Sequence, residues 1–187
     1  MTVRLGGRIG RSIEARRVWV TDRVNFRGLY CMPRGGLEWL PKADILSYEE
    51  LARVVAEVAP LGLRRLRVTG GEPTLRPDLE RLIGMLREIP EIEDISLSTN
   101  GVRLPELAAT LKRAGLDRVN MSADSLKPDR IKAISRRNMH FDPIAAATAA
   151  QEAGLAPSKL NVVARRGIND HEVRDCARLT LDTPCPG

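Results

Sequence analysis

Short aliphatic and β-branched runs alternate with amphipathic helical patterns along nearly the whole chain, and that alternation is the feature that most narrows its fold. Val18 to Thr21, Leu66 to Thr69, Ile92 to Ser98, Val119 to Ala123 and Lys159 to Ala164 each have strand length and composition. Between them lie helical patterns. Ser47-Tyr48-Glu49-Glu50 has the form of a capping box ahead of an apolar stripe made by Leu51, Val54, Val55 and Val58. Pro77 to Ile89 sets Leu79, Leu82, Ile83 and Leu86 at i, i+3, i+4 and i+7, and Pro105 opens a further helix that runs to Ala114. Helices are also expected over 128–136, 142–153 and, capped by Asn169-Asp170, over 171–180. Strand and helix in strict alternation require parallel β/α units. Five units imply a partial (β/α) barrel, or with less support an open doubly wound sheet.

In either architecture the C-terminal ends of the strands converge on one rim. The polar clusters Asp22 to Pro33, Gly70 to Thr74, Thr99 to Gly101 and Asp124-Ser125 all follow strands and are expected to face a shared pocket there. Asp22 to Leu46 is long for a connection inside a compact domain, and such a stretch is expected to be functional or disordered rather than idle. Gly70-Gly71-Glu72-Pro73 combines a turn at which backbone can approach a ligand closely with a carboxylate beside exposed amides.

The 187 residues suffice for one domain of roughly 100–200 residues and not for two enzyme domains. Apolar content of 43% supports a core, and with only two each of Trp, Tyr and Phe that core is aliphatic. The same scarcity argues against base stacking on aromatic platforms. Net charge is +6, with a pI near 9.7 and Arg far outnumbering Lys, yet the basic residues are dispersed rather than clustered. A basic nucleic-acid-binding module therefore remains only a weak alternative. Three cysteines, Cys31, Cys176 and Cys185, form no disulfide framework. No window approaches the roughly eighteen apolar residues that a membrane span needs, and the start has no apolar leader, so a cytoplasmic protein without membrane contact is expected.

The motifs in order are Gly-Arg near the start, Thr21-Asp22-Arg23, Asn25-Phe26-Arg27, Tyr30-Cys31-Met32-Pro33, Arg67-Val68-Thr69-Gly70-Gly71-Glu72-Pro73, Ser98-Thr99-Asn100-Gly101, Asn120-Met121-Ser122-Ala123-Asp124-Ser125 and Arg166-Gly167-Ile168-Asn169-Asp170. That series resembles the radical S-adenosylmethionine (SAM) enzymes, and within them the GTP 3′,8-cyclase family, or molybdenum cofactor biosynthesis protein A, to about residue 180. The resemblance implies an incomplete (β/α)6 TIM-like barrel of about five units, with residues 1–182 as a partial core domain, 183–187 as a short tail, and a C-terminal second-cluster domain absent.

The family's activity is a lyase reaction of molybdopterin biosynthesis that converts GTP to (8S)-3′,8-cyclo-7,8-dihydroguanosine 5′-triphosphate, using SAM and a 4Fe–4S cluster. By resemblance, Tyr30, Gly71, Glu72 and Ser122 belong to the SAM site, and Arg17, Arg67, Ser98 and Lys159 hold GTP. The family's C-x3-C-x2-C cluster loop corresponds here to Val24, Gly28 and Cys31, so Cys31 is the sole remaining cluster position. One thiolate does not retain a cubane. No catalytic residue is assigned, and Cys31 is expected to be a small buried side chain or a free thiol. The alternative is thus a degenerate, C-terminally truncated, inactive relative that at most binds SAM or nucleotide. Exposed barrel edges would favour self-association. Asn100, Asn120 and Asp124 are expected to be turn or strand-end hydrogen bonders, Cys176 and Cys185 to be incidental, and His140 and His171 to lie on the surface.

Overall fold

The computed structural model describes residues 6, 13–33, 35–156 and 158–182. Its five strands are β1 (Ala15–Trp19), β2 (Arg65–Thr69), β3 (Asp94–Thr99), β4 (Arg118–Ser122) and β5 (Lys159–Asn161). The helices are α1 (Tyr48–Val58), α2 (Leu79–Arg87), α3 (Leu104–Arg113), α4 (Pro128–Ser135), α5 (Pro143–Glu152) and α6 (Val173–Asp182). All strands are parallel, in the order β1-β2-β3-β4-β5. A doubly wound sheet reverses its strand order at a switch point, whereas sequential order with right-handed crossovers sends every helix to one face. The described residues therefore form a TIM-like barrel segment of five β/α units, as the sequence predicts.

Alternation along the strands separates two faces. Val18, Leu66, Val68, Ile95, Leu97, Val119 and Met121 point to the helices and join one core with Leu82, Ile83, Leu86, Leu111 and Ala146. The other face is concave and carries the polar strand residues. In α1 the Ser47 capping box forms with both reciprocal bonds, Ser47 Oγ accepting from the Glu50 N–H and the Glu50 carboxylate accepting from the Ser47 N–H. Leu51 and Val55 are buried, but Val54 is 54% exposed, because Tyr48 and Ala52 complete the buried face in its place.

Several boundaries shift. β1 begins at Ala15, ahead of its β-branched run, since the pairing of Ala15 and Arg16 with Arg65 and Leu66 uses backbone only. β5 ends at Asn161. Asn169 stands at the N-cap position of a 3-10 turn, Asp170–Glu172, that leads into α6, but its side chain makes no capping bond: its amide instead donates to the carbonyls of Asp124, at 2.6 Å, and Val163, at 2.9 Å, while its oxygen accepts from the Arg165 amide. It thereby ties the segment after β5 to the loop after β4. The tail 183–187, with Cys185, lies outside the described residues.

Candidate functional site

The loop after β1 is held by the C-terminal end of α4. The last carbonyls of a helix have no partner within it. Here Arg27 and Leu29 donate their amides to the carbonyls of Ser135 (2.8 Å) and Ile134 (3.0 Å). Arg136 and Arg137, just beyond the helix, donate to the carbonyls of Met32, Leu29 and Asn25. On its other side the loop meets the Gly70-Gly71-Glu72 turn, with Gly71 N–H donating to Thr21 O and Glu72 N–H to Arg23 O, each at 2.7 Å. A Cβ on Gly71 would lie 2.2 Å from the Arg23 carbonyl oxygen and 2.6 Å from that of Asp22, so only glycine permits this approach.

Glu72 is buried, and its carboxylate gathers four donors. Oε1 accepts from the Thr74 amide, the Thr74 hydroxyl (2.6 Å) and the Thr99 hydroxyl (2.7 Å), and Oε2 accepts from the Asn100 amide at 2.7 Å. The carboxylate therefore ties the β2 and β3 loops together, and Asn100 passes the link on through its amide to Asn25 Oδ1, at 2.6 Å. Asn100 also accepts from the Val102 amide, as its expected turn role requires.

These loops border a partly open cavity of about 120 Å³. Tyr30, Cys31 and Ser122 share its lining, which the apolar side chains of Ile131, Ile134 and Phe141 complete. Phe26 packs edge-on against Phe141, with centroids 6.3 Å apart. Tyr30 donates its hydroxyl to Asp124 Oδ2 at 2.5 Å. Burial, then that bond and the Asp124 charge, push the phenol pKa well above its usual range. Asp124 also accepts from the Val163 amide, as its hydrogen-bonding role predicts. Cys31 is exposed and free, so of the two outcomes expected of it the structure has the free thiol and not the buried side chain. A Cβ at Gly28 would lie 2.9 Å from Cys31 Sγ, so side chains at 28 and 31 would stand next to one another. Among the described residues no three His, Cys, Asp or Glu side chains cluster as metal ligands do.

The sequence set Arg17, Arg67, Ser98 and Lys159 apart from this cavity only by role. The structure separates them in space. All four lie on the concave face within the strands and not at the rim, because each occupies an alternation position opposite the helix-facing side chains. Pairing register puts Arg17, Arg67, Ser96 and Arg118 in one row and Ser98, Asn120 and Lys159 in the next row toward the C-terminal ends. Ser122 and Asn161 form the row beyond, at the cavity. A cleft of about 380 Å³ runs over the N-terminal part of this trough, lined by Arg17, Arg65, Arg67, Ser96 and the Asp94–Arg118 pair. Arg118 is bidentate on Asp94, which holds its pKa up. The side chains of Arg17, Arg65, Arg67 and Lys159 have no partner among the described residues. Unpaired guanidinium groups on adjacent strands suit a polyanion through charge-assisted bonds.

A second buried carboxylate, which the sequence did not single out, steadies the β4 loop. Glu172 accepts from the Ser125 hydroxyl (2.7 Å), the Leu126 amide (3.1 Å) and Arg130. Burial alone would raise its pKa, but those bonds outweigh it and hold the value below the usual glutamate range. A depressed folded pKa gives stability that is complete above the unfolded value and lost as pH falls through the folded one. Urea unfolding followed from pH 7 to 3 is therefore expected to show an acid-side loss that is smaller in Glu172→Gln. His171, half-exposed, touches Arg130. Cys176 is half-buried and free, with its thiol pKa raised by burial and then by Glu172 and Asp175.

Comparison with known proteins agrees with this geometry. A model of the radical SAM superfamily matches residues 20–180. Over 173 residues the chain is 49% identical to GTP 3′,8-cyclase of Petrotoga mobilis, covering 92% of this chain and 54% of that protein. A protein of the same name from Desulforamulus reducens is also 49% identical, over 93% of this chain and 54% of its own length. The chain thus spans about half the length of the curated relatives it matches. Among solved structures, HydG, a maturase of the FeFe-hydrogenase, superposes with a TM-score of 0.63 at 18% identity over 80% of this chain and 34% of that one, a likeness of fold. The sequential five-strand sheet, the Gly-Gly-Glu turn packed against the loop after β1, and a family match over almost the entire described chain lead to one conclusion: this chain belongs to the radical SAM superfamily.

Proposed function

We propose that this chain is a GTP 3′,8-cyclase-type protein of molybdenum cofactor biosynthesis that binds a nucleoside triphosphate in its trough and SAM in the adjoining cavity, without completing the family's cyclisation by itself. The observation that carries the reading is the row of unpaired Arg17 and Arg67, with Lys159 one row above, on the concave face. A triphosphate is the common metabolite group whose charge and oxygen count such a set can satisfy. Charge falls along the trough from the arginine rows to Ser122 and Asn161, so the polyphosphate lies toward the N-terminal ends and the nucleoside toward the cavity.

Members of the superfamily bind SAM and a 4Fe–4S cluster. For SAM the residues fit: Tyr30 and Ser122 line a partly open, largely apolar cavity, and Gly71 and Glu72 brace its loop. Gly71 N–H is already committed to Thr21, and the Glu72 carboxylate already accepts three donors at Oε1 and one at Oε2, so what these two chiefly add is the shape of the turn. For the cluster the residues do not fit. Val24 and Gly28 offer no ligand atom, and Cys31 is a single thiol. In relatives that carry the cluster, SAM cleavage depends on it, so this chain is proposed to hold the two small molecules and not to perform the chemistry. Because both are made in the cytoplasm, that compartment is the proposed site of action.

Titration calorimetry tests the reading. GTP and inorganic tripolyphosphate are expected to bind the intact chain, with affinity that falls as salt rises. Arg17→Ala and Arg67→Ala are each expected to weaken both by about tenfold or more, the loss for a hydrogen-bonded charged group. Unchanged affinity in both variants would remove the trough from consideration. Self-association is proposed as well, since β1 and β5 each have one sheet neighbour among the described residues. Light scattering at micromolar concentration is expected to give a mass above 20.7 kDa, and a monodisperse monomer would contradict it.

A further inference from the structure

One polar side chain in the trough has no place in the fold's own hydrogen bonding. Asn120 is 4% exposed, yet its Nδ2 finds no partner among the described residues. Its neighbours Val119 and Met121 face the helices, so Asn120 faces the trough, between Ser98 and Lys159 in register. The strand-end hydrogen bond expected of it is absent. Buried amides are nearly always paired, and an exception on the trough face of the sheet, in the row between the arginine cleft and the cavity at Ser122, points to a partner that arrives from outside.

We infer that Asn120 contacts the ligand, its side-chain amide hydrogen-bonding a ribose hydroxyl of a nucleotide whose polyphosphate lies against Arg17 and Arg67. The inference rests on the nucleotide-binding reading above. Position and chemistry both select the sugar. Same-face residues two apart on a strand are separated by about 6.6 Å. Asn120 thus stands one row above the arginines and one row below Ser122, at the level where a nucleotide passes from phosphate to nucleoside. A phosphate oxygen only accepts and is better served by the cations beneath. A hydroxyl both donates and accepts, and a neutral primary amide, which offers both, is its complement.

The experiment compares GTP, 2′-deoxy-GTP, 3′-deoxy-GTP and inorganic tripolyphosphate on the intact chain and on Asn120→Ala by calorimetry. The variant is expected to bind GTP about three- to tenfold more weakly, the effect of one neutral hydrogen bond. Tripolyphosphate affinity is expected to be unchanged. For the deoxy analogue that lacks the contacted hydroxyl, wild-type and variant affinities are expected to coincide, and this coupling is a readout that a merely structural role would not produce. The melting temperature is not expected to fall appreciably, since the side chain makes no bond within the fold. If the alanine variant does not fold, Asn120→Ser serves in its place, with the same pattern expected. Equal losses for GTP and both deoxy analogues, or no loss for any, would overturn the role of Asn120 while leaving the nucleotide reading intact. Failure of the unsubstituted chain to bind either GTP or tripolyphosphate would overturn both.

Discussion

Anaerobic reconstitution with iron and sulfide is expected to leave the unsubstituted chain without stoichiometric iron, whereas Val24→Cys/Gly28→Cys takes up close to a full cubane complement and turns brown. The loop after β1 is already held in place from both sides, by the carbonyls of Ser135 and Ile134 and by the Gly71-Glu72 turn, so two new thiols would enter a scaffold that does not depend on a cluster for its shape. The Cβ position at Gly28 lies against Cys31 Sγ, the movable end of a side chain, which can turn aside at small cost. Val24 packs on the Gly71-Glu72 turn that braces this loop, its Cγ1 lying 2.6 Å from where a Gly71 Cβ would stand. Iron analysis and absorbance spectra decide the matter. Close to four irons in the unsubstituted chain would refute the donor-set argument, and none in the double variant would show that the three positions do not converge.

The second large effect concerns Glu72. Glu72→Ala is expected to destabilise the chain by about 3 kcal/mol or more, because it strands the Thr99 hydroxyl and the amides of Thr74 and Asn100 in a site that water does not reach freely. For a chain of this length that loss corresponds to a fall of about 10 °C in melting temperature. Glu72→Gln retains one acceptor oxygen but turns a donor toward another donor, so an intermediate loss is expected. Thermal melts of the three proteins would test the ranking. An alanine variant as stable as the parent would mean that the carboxylate's bonds contribute little to the fold and that its role belongs to ligand binding alone.

Much of the fold was legible from periodicity. The positions of Leu79, Leu82, Ile83 and Leu86 fix the buried face of α2, and all four are buried. Strand and helix alternation named five β/α units, and local patterning suffices there because each strand's apolar set and each helix's stripe must meet across the same layer. Where tertiary contacts compete with local ones the sequence misled: Val54 lost its place on the buried face of α1 to Tyr48, and Asn169 gave up a cap to strap two loops together.

The site divides along the same line. Sequence alone determined which residue types are present, including the decisive fact that positions 24 and 28 carry no thiol, because the identity of a ligand atom is a covalent property. It also placed Tyr30, Gly71, Glu72 and Ser122 around one set of strand ends, because those loops follow strands. Tertiary structure decided what these groups are free to do. Register between parallel strands separated Arg17, Arg67 and Lys159 from the rim and stacked them in rows within the trough. Burial and hydrogen bonding committed Glu72 to the fold and left Asn120 uncommitted, although both were equally polar as letters in a sequence. The physical reason is that a polar group's availability depends on the neighbours that saturate it, and those come from strands and loops as many as 28 residues away along the chain for Glu72 and Asn100.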